Sequence, residues 1–130
     1  MSDIYSENIL DHYNKPRNFG KLLHPTSTAR DSNPLCGDDL EMQLLVDKNG
    51  KVVDVRFNGE GCAISVASAS MLTEAVKGKD VKFVKGLDSK RLLGMLGISL
   101  GPVRLKCALL PLNALKRCAG GDSGAVPALP

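Results

Sequence analysis

The chain has 130 residues, a formal charge of +3, 43% apolar and 24% charged residues, and no tryptophan. That is the size of one ordinary domain, long enough to bury a core without staples. The charge is too weak to argue for nucleic acid, and no apolar run approaches the ~20 residues of a membrane span.

The N-terminal "MSDIYSENIL" has neither the basic nor the apolar region of a signal peptide, so the expected compartment is the cytoplasm. Ser2 or Asp3 is placed to cap a first helix, striped by Ile4, Ile9 and Tyr13 and running to about Asn14, where Pro16 ends it. "NKPRNFGKLLHPTSTARDSNP" is rich in turn formers and reads as a long irregular connection. Order returns where Leu40, Met42, Leu44 and Val46 alternate with Glu41, Gln43 and Asp47, and where Val53, Val55 and Phe57 alternate with Asp54, Arg56 and Asn58. Asn49-Gly50 between these runs predicts a hairpin, and "GEGCAIS" is expected to add a short third strand.

Ile64, Ala67, Met71, Leu72 and Ala75 lie at helical spacing, with Gly78 placed to stop the helix. Residues 80–97 read as one or two short helices punctuated by Gly86, Gly94 and Gly97. A last helix is expected over Arg104 to Ala119, kinked at Pro111 or starting later because of it. The Gly/Pro-rich "GGDSGAVPALP" reads as a disordered tail, which makes 1–119 the domain and 120–130 the tail. The expected class is α+β, a small antiparallel three-stranded sheet with helices packed on one face. The basic stretch "KGKDVKFVKGLDSKR" reads as a solvated surface or as a docking patch for an acidic protein.

Cys36, Cys62, Cys107 and Cys118 form no CxxC pair, and a reducing compartment disfavours disulfides between them. Each is judged by its neighbours. Cys36 and Asp38 are two apart in an extended segment and face the same way, with Gly37 freeing the backbone between them. Cys62 follows Gly59 and Gly61 and opens a helix, whose N-terminal dipole favours a thiolate. Lys106 and Arg104 are expected to do the same for Cys107. Cys118 lies three helical turns beyond Cys107, roughly 16 Å away at ~1.5 Å per residue, and reads as a bystander. Taken singly, each remaining cysteine is more readily a small buried hydrophobe than a ligand. His12 and His24 belong to no catalytic motif, and there is no phosphate-binding glycine loop.

"DHYNKPRNFG", "NPLCGDD", "GEGCAISVASASMLTEAVKGK" and "GPVRLKCALLPLNAL" together resemble the U-type iron–sulfur cluster assembly proteins: IscU, SufU and the N-terminal domain of NifU. The motifs occur in the family's order from about residue 4 to residue 118. The resemblance implies an α+β fold with three cysteines gathered at one exposed end. It implies Cys36, Cys62 and Cys107 as metal ligands and Asp38 as the fourth. The implied cargo is a transient [2Fe-2S] or [4Fe-4S] cluster or iron, with zinc as the form expected on isolation. The implied partners are a cysteine desulfurase and apo iron–sulfur acceptor proteins. Cys107 is the candidate sulfur acceptor, supported by Lys106, Gly37 and Gly61.

Two features depart from the IscU pattern. Lys106 stands where IscU members have a histidine; that is the SufU habit, yet the insertion usual in SufU before this cysteine is missing. The chaperone-binding L-P-P-V-K segment survives only as "LGPVR" (Leu100 to Arg104), which argues against an Hsp70-type partner. The leading expectation is an assembly scaffold rather than an enzyme. The alternatives are a zinc-dependent sulfur acceptor and, more simply, a structural zinc module that binds proteins.

Overall fold

The structure is a computed structural model that describes residues 6–34 and 37–120. Its elements run α1 (Glu7–Asn14), β1 (Ser27–Asn33), β2 (Asp38–Val46), β3 (Val52–Glu60), α2 (Ala63–Val76), α3 (Val81–Lys85), α4 (Ser89–Leu96) and α5 (Pro102–Cys118). The strands form one antiparallel sheet in the order β1-β2-β3. Helix α5 lies over β1 and β2, and α2 lies over β3, so the α+β expectation holds.

The β2–β3 hairpin forms where the alternation places it, except that Val53, expected on the inner face, is exposed and Val52 is buried instead. Leu40, Met42, Leu44, Val55 and Phe57 all point inward and are fully buried. Met42 stands opposite Phe57 and Leu44 opposite Val55, pairs that lock the register through the apolar face. The register slips between Leu45 and Val46, where the polar alternation also fails. The turn is tied by Asp47, whose Oδ1 accepts from the N–H groups of Asn49 and Lys51, both at 2.9 Å.

Helix α2 is buried almost all round, with Ser65, Ser68, Ser70 and Thr73 as hidden as Ile64 and Leu72. It packs between α1, α5 and β3. Small residues allow that close approach, and hydroxyls inside the core need partners. Ser70 finds two: its Oγ lies 2.7 Å from His12 Nδ1 and accepts from the Arg17 N–H at 2.9 Å. Thr73 Oγ1 accepts from Asn18 Nδ2 at 3.0 Å. "DHYNKPRNFG" is thereby a docking segment that straps α1 and the following turn onto α2.

His12 Nε2 sits 3.7 Å from Glu74, yet burial holds the imidazole below its ordinary value of 6.5, with Arg17 acting in the same direction and Glu74 and Asp11 against. The unfolded chain therefore binds a proton more readily than the folded one. The neutral His12 contributes its stability above about pH 6.5 and loses it as the pH falls below. Urea midpoints measured from pH 7.5 to 5.5 should fall more steeply for the parent than for His12→Gln. Parallel curves would remove His12 from this role.

Several expectations are corrected. Helix α1 is capped by Ser6, whose Oγ accepts from the Ile9 N–H at 3.3 Å, not by Ser2 or Asp3, which lie outside the described residues. The stretch read as irregular contains β1. "GEGCAIS" is not a strand: β3 ends at Glu60, and Cys62 is the N-cap of α2. Gly94 lies inside α4 rather than punctuating it. Helix α5 starts early, with Pro102 in its first turn, and runs through Pro111. A proline tolerated there still leaves the carbonyl of residue 107, four positions back, without its usual donor. The 121–130 tail lies outside the described residues.

Candidate metal centre

Four chain segments meet at one end of the sheet. Strand β2 begins at Asp38, β3 finishes at Glu60, α2 begins just after Cys62, and the second turn of α5 carries Cys107. One carboxylate oxygen of Asp38 and the sulfurs of Cys62 and Cys107 all lie within 4.8 Å of one another. Asp38 and Cys107 are buried, at 1% and 2% exposure, and Cys62 is partly exposed.

Asp38 is used on both sides. Its Oδ1 accepts the Cys62 N–H at 2.9 Å, capping α2 from another strand. Its Oδ2 is buried with no hydrogen-bond partner among the described residues. An orphaned buried carboxylate oxygen costs a kilocalorie or more. A cation facing it and two sulfurs would supply the missing partner. Two thiolates and one carboxylate suit zinc or iron and leave a tetrahedral set one ligand short. The residues present fit such an ion.

Two glycines make the convergence possible. A Cβ at Gly59 would stand 2.1 Å from the Asp39 carbonyl, so only glycine lets the end of β3 close onto β2. At Gly61 it would stand 2.1 Å from Ser65 Oγ and 3.3 Å from Asp38 Oδ1, inside the clamp itself. Ser65 returns its hydroxyl to the Cys62 carbonyl at 3.1 Å and steadies that turn. Gly37 takes φ +73, the backbone that places Asp38 after the turn.

Cys107 behaves oppositely to expectation. Burial first, then the neighbouring Cys62 and Asp38, push its thiol well above the ordinary range. Lys106 is exposed and does not offset this. A bound dication reverses the balance, since metal binding and thiol deprotonation are linked.

The structure brings Asp38, Cys62 and Cys107 together; Cys36 lies outside the described residues. Cys118 is buried on the other end of α5, its Sγ donating to the Met42 carbonyl at 3.1 Å and its thiol pushed up to about 12 by burial. Asp39 does not join the centre; it forms a fork with Arg30, at 2.8 and 3.2 Å. The sequence reading set Gly59 beside Cys62 but missed its close approach to the Asp39 carbonyl, and it missed the bond by which Ser65 steadies the Cys62 turn.

The family profile of the NifU-like N-terminal domain matches residues 4–121. The chain belongs to that family. It is 34% identical to the zinc-dependent sulfurtransferase SufU of Bacillus subtilis (strain 168), an alignment covering 95% of each chain. That alignment spans 142 positions, so the relative carries residues this chain lacks. The chain is 37% identical to the iron–sulfur cluster assembly scaffold protein IscU of Haemophilus influenzae, over 86% of this chain and 90% of that one. Among solved structures, FiSufU from Fervidobacterium islandicum AW-1 superimposes with a TM-score of 0.74 at 30% identity, covering 89% of this chain and 96% of that one. Among the described residues, no helix is long and apolar enough to cross a membrane.

Proposed function

We propose that the protein is a scaffold that binds iron and assembles a cluster at Cys36, Asp38, Cys62 and Cys107, then passes it on to apo-acceptor proteins. The observation that carries this reading is the convergence of two sulfurs on a buried, half-satisfied carboxylate. Sulfur arrives from a cysteine desulfurase. A site thiolate attacks the outer sulfur of the enzyme's persulfide, one S–S bond forms, another breaks, and the desulfurase cysteine leaves as thiolate. Cys107 is the candidate acceptor, although Cys62 is the more accessible sulfur in this arrangement. The cluster, whether [2Fe-2S] or [4Fe-4S], is cargo and not a resident group. Three cysteines grip it, and the harder carboxylate of Asp38 is the weaker hold.

The test is anaerobic reconstitution with iron, cysteine, a desulfurase and a dithiol that reduces the delivered persulfide sulfur to sulfide, followed by transfer to an apo-ferredoxin. The parent should develop a charge-transfer spectrum and lose it to the acceptor. Asp38→Ala should form the cluster and release it several-fold more slowly. An unchanged transfer rate would remove Asp38 as the releasing ligand, and failure to build any cluster would remove the scaffold.

A second reading is a zinc-dependent sulfur acceptor for the desulfurase. It is favoured by near full-length similarity to the Bacillus protein and by Lys106 in place of a histidine. Desulfurase turnover that rises strongly with the protein and only when zinc is bound would decide for it.

A further inference from the structure

The end of the molecule opposite the metal centre carries a dense positive charge. Strand β2 leads away from Asp38 for nine residues, about 26 Å at ~3.3 Å per residue, and α2 runs the same way from Cys62. The hairpin turn, the α2–α3 connection and α3 meet there. Val52 N–H donates to the Lys79 carbonyl, Gly78 N–H to Val52 and Val81 N–H to Gly50, at 2.8 to 2.9 Å. Those bonds place Lys48 and Lys51 of the turn beside Lys79, Lys82 and Lys85, and α4 adds Lys90 and Arg91. All seven side chains are exposed.

Three carboxylates offset part of this charge but pair with none of it. Asp47, Asp80 and Asp88 are the acids of this surface, and each is spent on the backbone. Asp47 ties the turn, Asp80 caps α3 through the Lys82 N–H, and Asp88 caps α4 through the Arg91 N–H. None of the seven cations makes an ion pair among the described residues; neighbouring Lys77 pairs with Asp54 at 3.4 Å. Phe83 organises the surface further. Lys79 lies 5.7 Å and Arg91 5.0 Å from its ring centre, which joins the α3 and α4 cations into one face.

We propose that this distal basic face docks an acidic protein segment, leaving the metal centre open at the other end. Lysines outnumber arginine six to one, which suits diffuse attraction to carboxylates better than the bidentate forks that phosphates favour. Phe83 is half-buried beneath Lys79 and Arg91, so no open aromatic platform is offered to a nucleic-acid base. The exposed large apolar residues Tyr13, Phe19, Leu23 and Val103 lie outside this face, and Val53 alone borders it, which leaves no apolar ridge to enter a lipid surface. The inference stands apart from the proposed function, since no ligand residue takes part.

The test is fluorescence anisotropy with a labelled peptide of about fifteen residues carrying Glu at i, i+3 and i+4. The full chain should bind it at about 50 mM NaCl and lose most of that binding at about 300 mM. The variant Lys82→Glu/Lys85→Glu/Lys90→Glu should bind at least about tenfold more weakly, with an unchanged melting temperature. Lys15→Glu/Lys21→Glu, away from this face, should bind as the parent does. Equal loss in both variants, or no binding at low salt, would overturn the proposal. So would tighter binding to single-stranded RNA or to phosphatidylserine vesicles, assayed in parallel.

Discussion

Cys107→Ser, and separately Cys62→Ser, should lower zinc affinity by more than about a hundredfold, since losing even an outer-shell partner of a ligand commonly costs 10–100-fold. The serine hydroxyl keeps its proton at neutral pH and is a harder, weaker donor than a thiolate. Removing one sulfur also leaves Asp38 Oδ2 facing an incomplete ligand set. Chelator competition on protein prepared without air measures the affinity, and native mass spectrometry counts the metal. Cys118→Ser is the control, because its thiol is engaged with the Met42 carbonyl away from the centre, and it should hold one metal per chain like the parent. If either ligand variant retains parental affinity, that cysteine is not a ligand. The apo-protein should bind metal more tightly as the pH rises, because the raised Cys107 thiol must lose its proton to bind.

Phe57→Ala should cost about 3–5 kcal/mol, near the top of the range for a core substitution. Phe57 is fully buried, stands opposite Met42 in the sheet, and packs edge-to-face with Phe19, ring centres 5.2 Å apart at 90°. Its backbone also holds the strap: Gly20 N–H donates to its carbonyl at 2.8 Å, and its own N–H donates to the Asn18 carbonyl at 3.0 Å. The side chain's loss opens a cavity beneath exposed Phe19, and Asn18 loses the shelf from which it reaches Thr73. A melting temperature lower by roughly 10–20 °C is expected. Val53→Ala, on the same strand but exposed, should shift stability by no more than about 0.5 kcal/mol. A Phe57→Ala loss below about 1 kcal/mol would mean that the core collapses around the gap.

The two strands that carry an apolar face were legible, because a buried face imposes period two on the residues themselves. Strand β1 was not. Its sequence, Ser27–Asn33, is polar, and it sits at the sheet edge. What makes it a strand is the unpaired edge of β2 and the cover of α5, neither of which leaves a periodic mark. The caps were half legible. Gly78 and Gly97 stop helices as glycines do, but Asp80 and Asp88 went unread as caps and Ser6 displaced Ser2 and Asp3.

Sequence alone determined the donor types, the order of the motifs and the class of fold, because side-chain chemistry and hydrophobic period are local properties. It could not bring Asp38 to Cys62 across 24 positions, nor orient one oxygen to cap α2 and leave the other without a hydrogen-bond partner among the described residues. Nor could it reveal that Cys107 is pushed toward the thiol by burial and then by Cys62 and Asp38, rather than toward the thiolate by Lys106. Those outcomes depend on which charges share a buried space, and burial is decided only when β2, β3, α2 and α5 close on one another.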